Sequence, residues 1–214
     1  MPDVAPDGSP VAVYLALPAE PDLSRVRAVL PPNCSVLDLG CGVGRIANPL
    51  AAAGHAVVAV DDSADMLAHI AGPEPVLGDI WALDLQRRFD VVLALSHLVN
   101  GRTLALRSSL LSVCRRHLAA NGRVVVQRYA PDWTPMEGIR TVAEVEVHLH
   151  DVELFEDGFS AQVTYRVGPQ RWTQTFDGAI VDDAELETLA ADVGLTVLDT
   201  LDDSGAWVLL GTRD

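Results

Sequence analysis

Val36-Leu37-Asp38-Leu39-Gly40-Cys41-Gly42-Val43-Gly44-Arg45 is the stretch that decides the fold. An apolar strand runs into three glycines at alternate positions, and a helical pattern follows. A strand that turns into a helix through residues without side chains leaves bare backbone N–H groups beside the helix N-terminus, where a ligand can be held. Dinucleotide sites use G-x-G-x-x-G, in which the last glycine lets pyrophosphate approach the helix. Here the third glycine comes one residue early and Arg45 stands at the place that pattern reserves. The spacing suits a ligand with an adenosine and no pyrophosphate.

Outward from this turn, strand and helix patterns alternate, as in an α/β protein with a parallel sheet. Val36–Leu39 is the first strand and residues 45–53 the helix after it. Ala56-Val57-Val58-Ala59-Val60 is the second strand, with Ser63 capping a helix over residues 64–71. Val76-Leu77 is a short third strand and Phe89–Leu95 the fourth. Leu106, Leu110, Cys114 and Leu118 recur every four residues and predict an amphipathic helix ended by Asn121-Gly122; Val124–Gln127 is the fifth strand. From Val145 the period changes to two, and residues 140–177 read as a three-stranded antiparallel insert. Asp182 caps a helix, and two last strands, Leu195–Asp199 and Trp207–Thr212, are joined by a hairpin at Asp202-Asp203-Ser204-Gly205. Residues 1–22 contain five prolines, so no helix is expected before Asp22; the apolar run Val11–Leu17, with Tyr14, either docks on the domain or forms a flap. The expectation is a single domain over 1–214, with residues 1–32 as an N-terminal segment and short helix.

The net charge is −15, from 15 Lys plus Arg against 30 Asp plus Glu, which repels nucleic acid and anionic lipid. With no charged-then-apolar leader, no run of bilayer length and three cysteines in no C-x-x-C pair, a cytoplasmic protein with reduced thiols is expected.

Right-handed crossovers bring every parallel strand's C-terminal end to one sheet edge, where ligands bind. Asp61, Asp79 and Ser96-His97 follow strands two, three and four on that edge. Asp61 lies 17 residues beyond Gly44, where a carboxylate accepts ribose hydroxyls; its alternative is to cap the next helix. Asp79 is otherwise a turn residue after Gly78. Asp38 is read as orienting the loop through backbone N–H groups rather than touching ligand, and Arg45 either pairs with a ligand carboxylate or covers helix surface. His97 is a candidate proton acceptor, or a loop histidine held by hydrogen bonds. Tyr129 and Trp133 line a pocket or pack under the insert. Glu146, His148 and His150 share a strand face; this is read as a solvated face, and no metal site is expected.

Asp38-x-Gly40-x-Gly42-x-Gly44, followed by Val60-Asp61-x-Ser63-x-x-Met66-Leu67 and Gly78-Asp79, resembles the class I S-adenosylmethionine-dependent methyltransferases. The likeness covers about residues 33–128, and the last two strands more loosely. It implies a Rossmann-like seven-stranded sheet ordered 3-2-1-4-5-7-6 with strand seven antiparallel, helices on both faces, and the antiparallel insert after strand five. It implies S-adenosyl-L-methionine as cofactor and S-adenosyl-L-homocysteine as product. Gly40, Gly42 and Gly44 would hold the methionyl part, Asp61 the ribose and Asp79 the adenine amino group. Asp62 stands where an apolar residue often packs on adenine, so Ile80 or Met66 takes that contact; Cys41, Arg45 and Ser96 complete the cofactor set. Tyr14, His97, Tyr129 and Trp133 would face the acceptor. The Asp-Gly-Ser-Pro-Val stretch at 7–11 and Ser-His-Leu-Val-Asn at 96–100 look like small members acting on small molecules. Neither an Asn/Asp-Pro-Pro-aromatic motif nor a Pro-Cys nucleophile follows strand four. The expectation is therefore methyl transfer to a small molecule, with no nucleic-acid or membrane partner and a homodimer possible through the insert. The alternatives are a cofactor-binding protein that methylates nothing and a nicotinamide-dependent oxidoreductase.

Overall fold

A computed structural model describes residues 4–212. Two sheets form. The larger has seven strands: β1 (Ser35–Leu39), β2 (Ala56–Asp61), β3 (Glu74–Leu77), β4 (Phe89–Ala94), β5 (Leu118–Gln127), β10 (Leu195–Thr200) and β11 (Trp207–Thr212), in the order β3-β2-β1-β4-β5-β11-β10. All pairings from β3 to β5 are parallel; β11 runs antiparallel to both β5 and β10. This is the expected order, with the last strand reversed by its hairpin.

The near-continuous apolar strands are explained by burial on both faces. Leu37, Leu39, Val58, Val60, Val92, Val124 and Val126 face one side, against α5 (Leu104–Arg116) and α6 (Asp183–Asp192). Val36, Val57, Ala59, Val91, Leu93 and Val125 face the other, against α2 (Asp22–Val29) and α3 (Ala47–Ala52). The capping residues act as read: Ser63 Oγ accepts from Met66 N ahead of α4 (Ala64–Leu67), and Asp182 accepts from Glu185 N at 2.8 Å ahead of α6.

Four expectations fail. The helix expected over residues 64–71 stops at Leu67. A helix, α1 (Val11–Ala16), does form before Asp22. Pro10 sits at its N-cap, where a missing N–H costs nothing, and the next proline is Pro18, so one and a half turns fit between them. The helix predicted to run to Asn121-Gly122 ends at Arg116, and Leu118 already pairs with Phe89. The insert has four strands rather than three: β6 (Gly138–Val142), β7 (Val145–Phe155), β8 (Gly158–Val167) and β9 (Gln170–Gly178), paired in sequence order. The missed strand, β6, is an exposed edge, so it lacks the alternation that marks a half-buried strand. The inner face of the insert carries Val145, Val147, Val163 and Trp172, which bury Val13 of α1.

Arg128, 1% exposed, ties the end of β5 to the segments that return from the insert. Its guanidinium donates to the Gly205 carbonyl at 2.9 Å and the Val181 carbonyl at 2.9 Å, and pairs with Asp183. Arg128→Ala leaves the buried Val181 carbonyl and the half-buried Gly205 carbonyl without this donor and should cost about 2–4 kcal/mol of stability in urea unfolding. A loss below about 1 kcal/mol would show that the clasp is dispensable.

Candidate active site

The C-terminal ends of β1, β2, β3 and β4 meet at a cavity of about 230 Å³. Gly40, Gly42 and Gly44 adopt φ of +65°, +54° and +81°, so the turn after β1 is one that side chains disfavour at every second position. The turn is fastened to β2: Cys41 N donates to the Val60 carbonyl at 2.9 Å, and Gly42 N donates to Asp61 Oδ2 at 2.8 Å. Asp61 Oδ1 accepts from Ser63 N at 3.0 Å. Ser63, not Asp61, caps α4. Each Asp61 oxygen keeps a lone pair for a ligand.

Of the residues singled out from the sequence, Asp38, Gly40, Cys41, Gly42, Arg45, Asp61, Asp62, Met66, Asp79, Ile80, Ser96 and Tyr14 line this cavity. Gly44 does not. A Cβ there would lie 2.6 Å from Asn48 Oδ1 and 2.7 Å from Ile70 Cδ1, so Gly44 serves close packing behind the loop. Arg45 reaches away from the turn, to Asp22 at 2.9 Å and to the Pro18 carbonyl. Asp79 is exposed, and its Oδ1 accepts from Trp81 N at 2.8 Å in a turn.

Asp38 is 3% exposed. The loop-orienting role expected of it belongs instead to Asp61; among the described residues no donor reaches the Asp38 carboxyl. Burial, opposed by Arg45 and reinforced by Asp61, raises its pKa from 3.8 to about 7. Burial, with Asp38 and Asp61 nearby, also pushes the Cys41 thiol far up, so it stays protonated.

His97 is not brought to the cavity. Ser96 and His97 are consecutive left-handed residues, with φ of 53° and 62°, and the chain they bend leaves Ser96 and Leu98 on the cavity wall and His97 behind it. The imidazole stacks on Tyr129 at 4.2 Å between centroids, and Tyr129 stacks on Trp133 at 4.2 Å. Phe159 of the insert meets both Tyr129 and Trp133 edge-on. Tyr129 and Trp133 thus pack under the insert. Burial lowers His97 to about 4, opposed in part by the Arg128 backbone, and among the described residues its buried Nδ1 has no partner. Non-glycine left-handed pairs carry no sequence signature, which is why this placement was not legible.

The sequence reading also missed Ala5, Asp7, Ser9, Trp81, Leu95 and Leu98 on the cavity wall. Ala5 and Val11 pack on Val43 and Met66, which lays the N-terminal turn across the glycine loop. Ser9 N and Oγ donate to Asp7 at 2.9 and 2.7 Å, and Tyr14 Oη lies 3.4 Å from Ser9 Oγ. Burial raises the Tyr14 phenol, which remains neutral.

Residues 36–122 match the family described as Methyltransferase domain. That span of the chain resembles a methyltransferase domain. The matched span runs from β1 to β5 and holds the glycine turn, Asp38, Asp61, Asp79 and the β4 loop. No curated protein matches the sequence. Solved structures share the fold. An S-adenosylmethionine-dependent methyltransferase from Clostridium acetobutylicum ATCC 824 is 17% identical, with 90% of each chain covered and a TM-score of 0.74. The CcbJ methyltransferase from Streptomyces caelestis is 24% identical, covering 92% of this chain and 91% of that one, with a TM-score of 0.72. The sugar N-methyltransferase KedS8 from Streptoalloteichus sp ATCC 53650 is 20% identical, covering 93% and 88%, with a TM-score of 0.72. Among the described residues, no helix is long and apolar enough to cross a membrane.

The raised Asp38 pKa makes folding stability depend on pH. Below about pH 4 the carboxyl is protonated in the folded and unfolded chains alike; between about pH 4 and 7 the unfolded chain releases the proton and the folded one keeps it, so stability falls as pH rises. From pH 5 to 8 the wild type should lose about 2–3 kcal/mol that Asp38→Asn retains, measured by urea unfolding of the two proteins side by side. Parallel pH profiles would show that Asp38 is ionised throughout.

Proposed function

We propose that this protein transfers a methyl group from S-adenosyl-L-methionine to a small-molecule acceptor. One observation carries the reading: the cavity beside the glycine turn is lined by carboxylates at successive strand ends, and the one cation lining it among the described residues, Arg45, is committed to Asp22. Such a wall repels the pyrophosphate of a nicotinamide dinucleotide and favours a ligand with positive charge. The methionyl end of the cofactor supplies an ammonium, which the buried and unpartnered Asp38 is suited to receive. Asp61 accepts the ribose hydroxyls, and Asp79, with its second oxygen, the adenine amino group. Met66 and Ile80 are buried apolar surfaces for the base. Gly40, Gly42 and Cys41 leave the turn's backbone open to the methionyl part.

The reaction is an in-line displacement. The acceptor's lone pair forms a bond to the methyl carbon while the carbon–sulfur bond breaks, and its electrons return to sulfur to give S-adenosyl-L-homocysteine. Alignment and water exclusion supply acceleration without covalent help from the protein. His97 is not the base in this reading: a ring with a pKa near 4, stacked behind the cavity, is a weak proton acceptor. The acceptor approaches from the side closed by Tyr14, Ser96 and Leu98. Its proton passes to solvent. Cofactors and acceptors named for the structural relatives, such as the bound S-adenosylmethionine of the amino pentose methyltransferase CalS10 and the sugars of KedS8, agree with a small-molecule acceptor. The acidic surface disfavours nucleic acid and anionic lipid, and a cytoplasmic setting suits three buried free thiols. A homodimer through the exposed β6 edge belongs to the same proposal.

Asp61→Ala should weaken S-adenosyl-L-homocysteine binding by about 1.5–3 kcal/mol for each ribose hydrogen bond lost, read by titration calorimetry. Undiminished affinity would reject the ribose placement. His97→Phe, which keeps the stack and removes both nitrogens, should leave turnover within about fivefold of wild type, whereas a base lost would slow it about 100-fold or more.

A further inference from the structure

The chain has three tyrosines, and all three converge where the insert meets the rest of the domain. Tyr14 lies on α1, next to the Val13 that the insert buries, and it also lines the cofactor cavity. Tyr129 follows β5, with its ring held in the aromatic stack. Tyr165 lies on β8, in the cross-strand row Arg140–Val147–Tyr165–Trp172. Residues paired across strands share a face. Val147 and Trp172 pack on Val13, so Arg140 stands on the inner face with them. The Tyr165 phenol senses those of Tyr14 and Tyr129, the Arg140 guanidinium and the Asp7 carboxylate. Burial raises all three phenols, Tyr129 to about 12, so each keeps a proton to donate. Among the described residues nothing bonds to the Tyr129 or Tyr165 hydroxyl. Arg140 is exposed on its edge strand, and among the described residues it has no ion-pair partner. Trp172, only 8% exposed, adds a buried indole N–H without a partner among them. Against these donors stands one unpartnered buried acceptor on the same face, Gln174 Oε1. Buried donors left open in this way are completed by what binds beside them.

We propose that this seam binds a carboxylate of the acceptor, with the Arg140 guanidinium and the Tyr129 and Tyr165 hydroxyls as its donors. The inference rests on the methyl-transfer reading and narrows its acceptor to a small molecule that bears one carboxylate apart from its nucleophile. A guanidinium matches a carboxylate with two parallel N–H donors, and neutral phenols add donors without adding charge. The acceptor's orientation follows from the charges around it. Five carboxylates line the cofactor cavity and repel an anion, whereas Arg140 stands outside that cavity. The carboxylate therefore lies toward β6 and the nucleophile toward Tyr14, the side chain common to seam and cavity. A single cation balances a single negative charge. A phosphate ester, with nearly two, would leave charge unbalanced beside an acidic wall. The rings of Tyr129, Trp133 and Phe159 supply the apolar surface against which the rest of a small acceptor packs.

Ligand-observed NMR titrations of the full chain, saturated with S-adenosyl-L-homocysteine, test this with benzoate, benzamide and phenyl phosphate. The three probes share a ring and differ in the group that Arg140 would meet. Benzoate should bind the wild type with a Kd at or below about 10 mM, and about fivefold or more tighter than either of the others. Arg140→Gln should weaken benzoate about 10-fold or more, and Tyr165→Phe about threefold or more. Arg140→Lys should recover part of the loss, because it restores the charge without the fork of donors. In all three variants S-adenosyl-L-homocysteine affinity, read by titration calorimetry, should stay within about twofold of wild type, which shows the fold and the cofactor cavity intact. Benzoate that binds no tighter than benzamide, that shows no binding at about 10 mM, or that binds Arg140→Gln as it binds the wild type overturns the carboxylate site. Phenyl phosphate as the tightest probe overturns it in favour of a phosphate-bearing acceptor. A wild type that fails to bind S-adenosyl-L-homocysteine overturns the methyl-transfer reading instead, and does so before any acceptor probe is added.

Discussion

The hydrogen bond from Gly42 N to Asp61, across the gap between the β1 turn and the end of β2, is the constraint on which the site depends. It takes a backbone donor that the turn exposes and gives it to a carboxylate that β2 delivers. With Cys41 N bonded to the Val60 carbonyl, it fixes the glycine turn against the second strand. The turn is therefore shaped before any ligand arrives, and the same carboxylate that shapes it faces the ligand. Preorganisation of this kind removes the ordering cost that a mobile loop would add to binding.

That arrangement leaves Asp38 unsupported. It is buried one residue before Leu39, with Arg45 as its only favourable charge among the described residues, and burial raises its carboxyl to about 7. A buried acid without a donor is a local destabilisation, and such groups persist where a ligand completes them. Strain collects on the opposite wall too. Ser96 and His97 hold left-handed backbone in succession, stabilised by Ser96 N donating to Gln127 Oε1 at 2.8 Å and by the stack of His97 on Tyr129.

Asn100 joins this wall to the insert. Its Oδ1 accepts from Tyr129 N at 2.9 Å, its Nδ2 donates to the Ala179 carbonyl at 2.8 Å, and its own carbonyl accepts from Ala179 N at 2.9 Å. One buried side chain therefore links the loop after β4, the aromatic column and the strand end that closes the insert. The four-stranded insert and the N-terminal turn meet over the same region: a Cβ on Gly8 would lie 3.3 Å from Gln174 Cβ. The enclosure is built from pieces far apart in the chain.

The amino-acid sequence by itself determined the alternating strands and helices, the closing hairpin and the cavity's acidic edge, because these follow from periodicity, from crossover handedness and from residues at strand ends; the order of the sheet and its reversed last strand were implied by the family resemblance. Asp61 and Asp79 were legible for that reason. Only the tertiary structure decided which side chains turn inward. Gly44 is a packing residue because Asn48 and Ile70 crowd it, His97 lies behind the wall because two left-handed residues turn the chain there, and Asp38 lacks a donor because Asp61 has taken the turn's N–H. β6 escaped notice as an exposed edge, and α1 because proline counting ignores the spacing between prolines. The N-terminal turn, Ala5, Asp7 and Ser9, reaches the cavity through packing against Val43 and Met66, contacts no local pattern encodes. Local patterns set the elements; burial and competition for a few donors set the site.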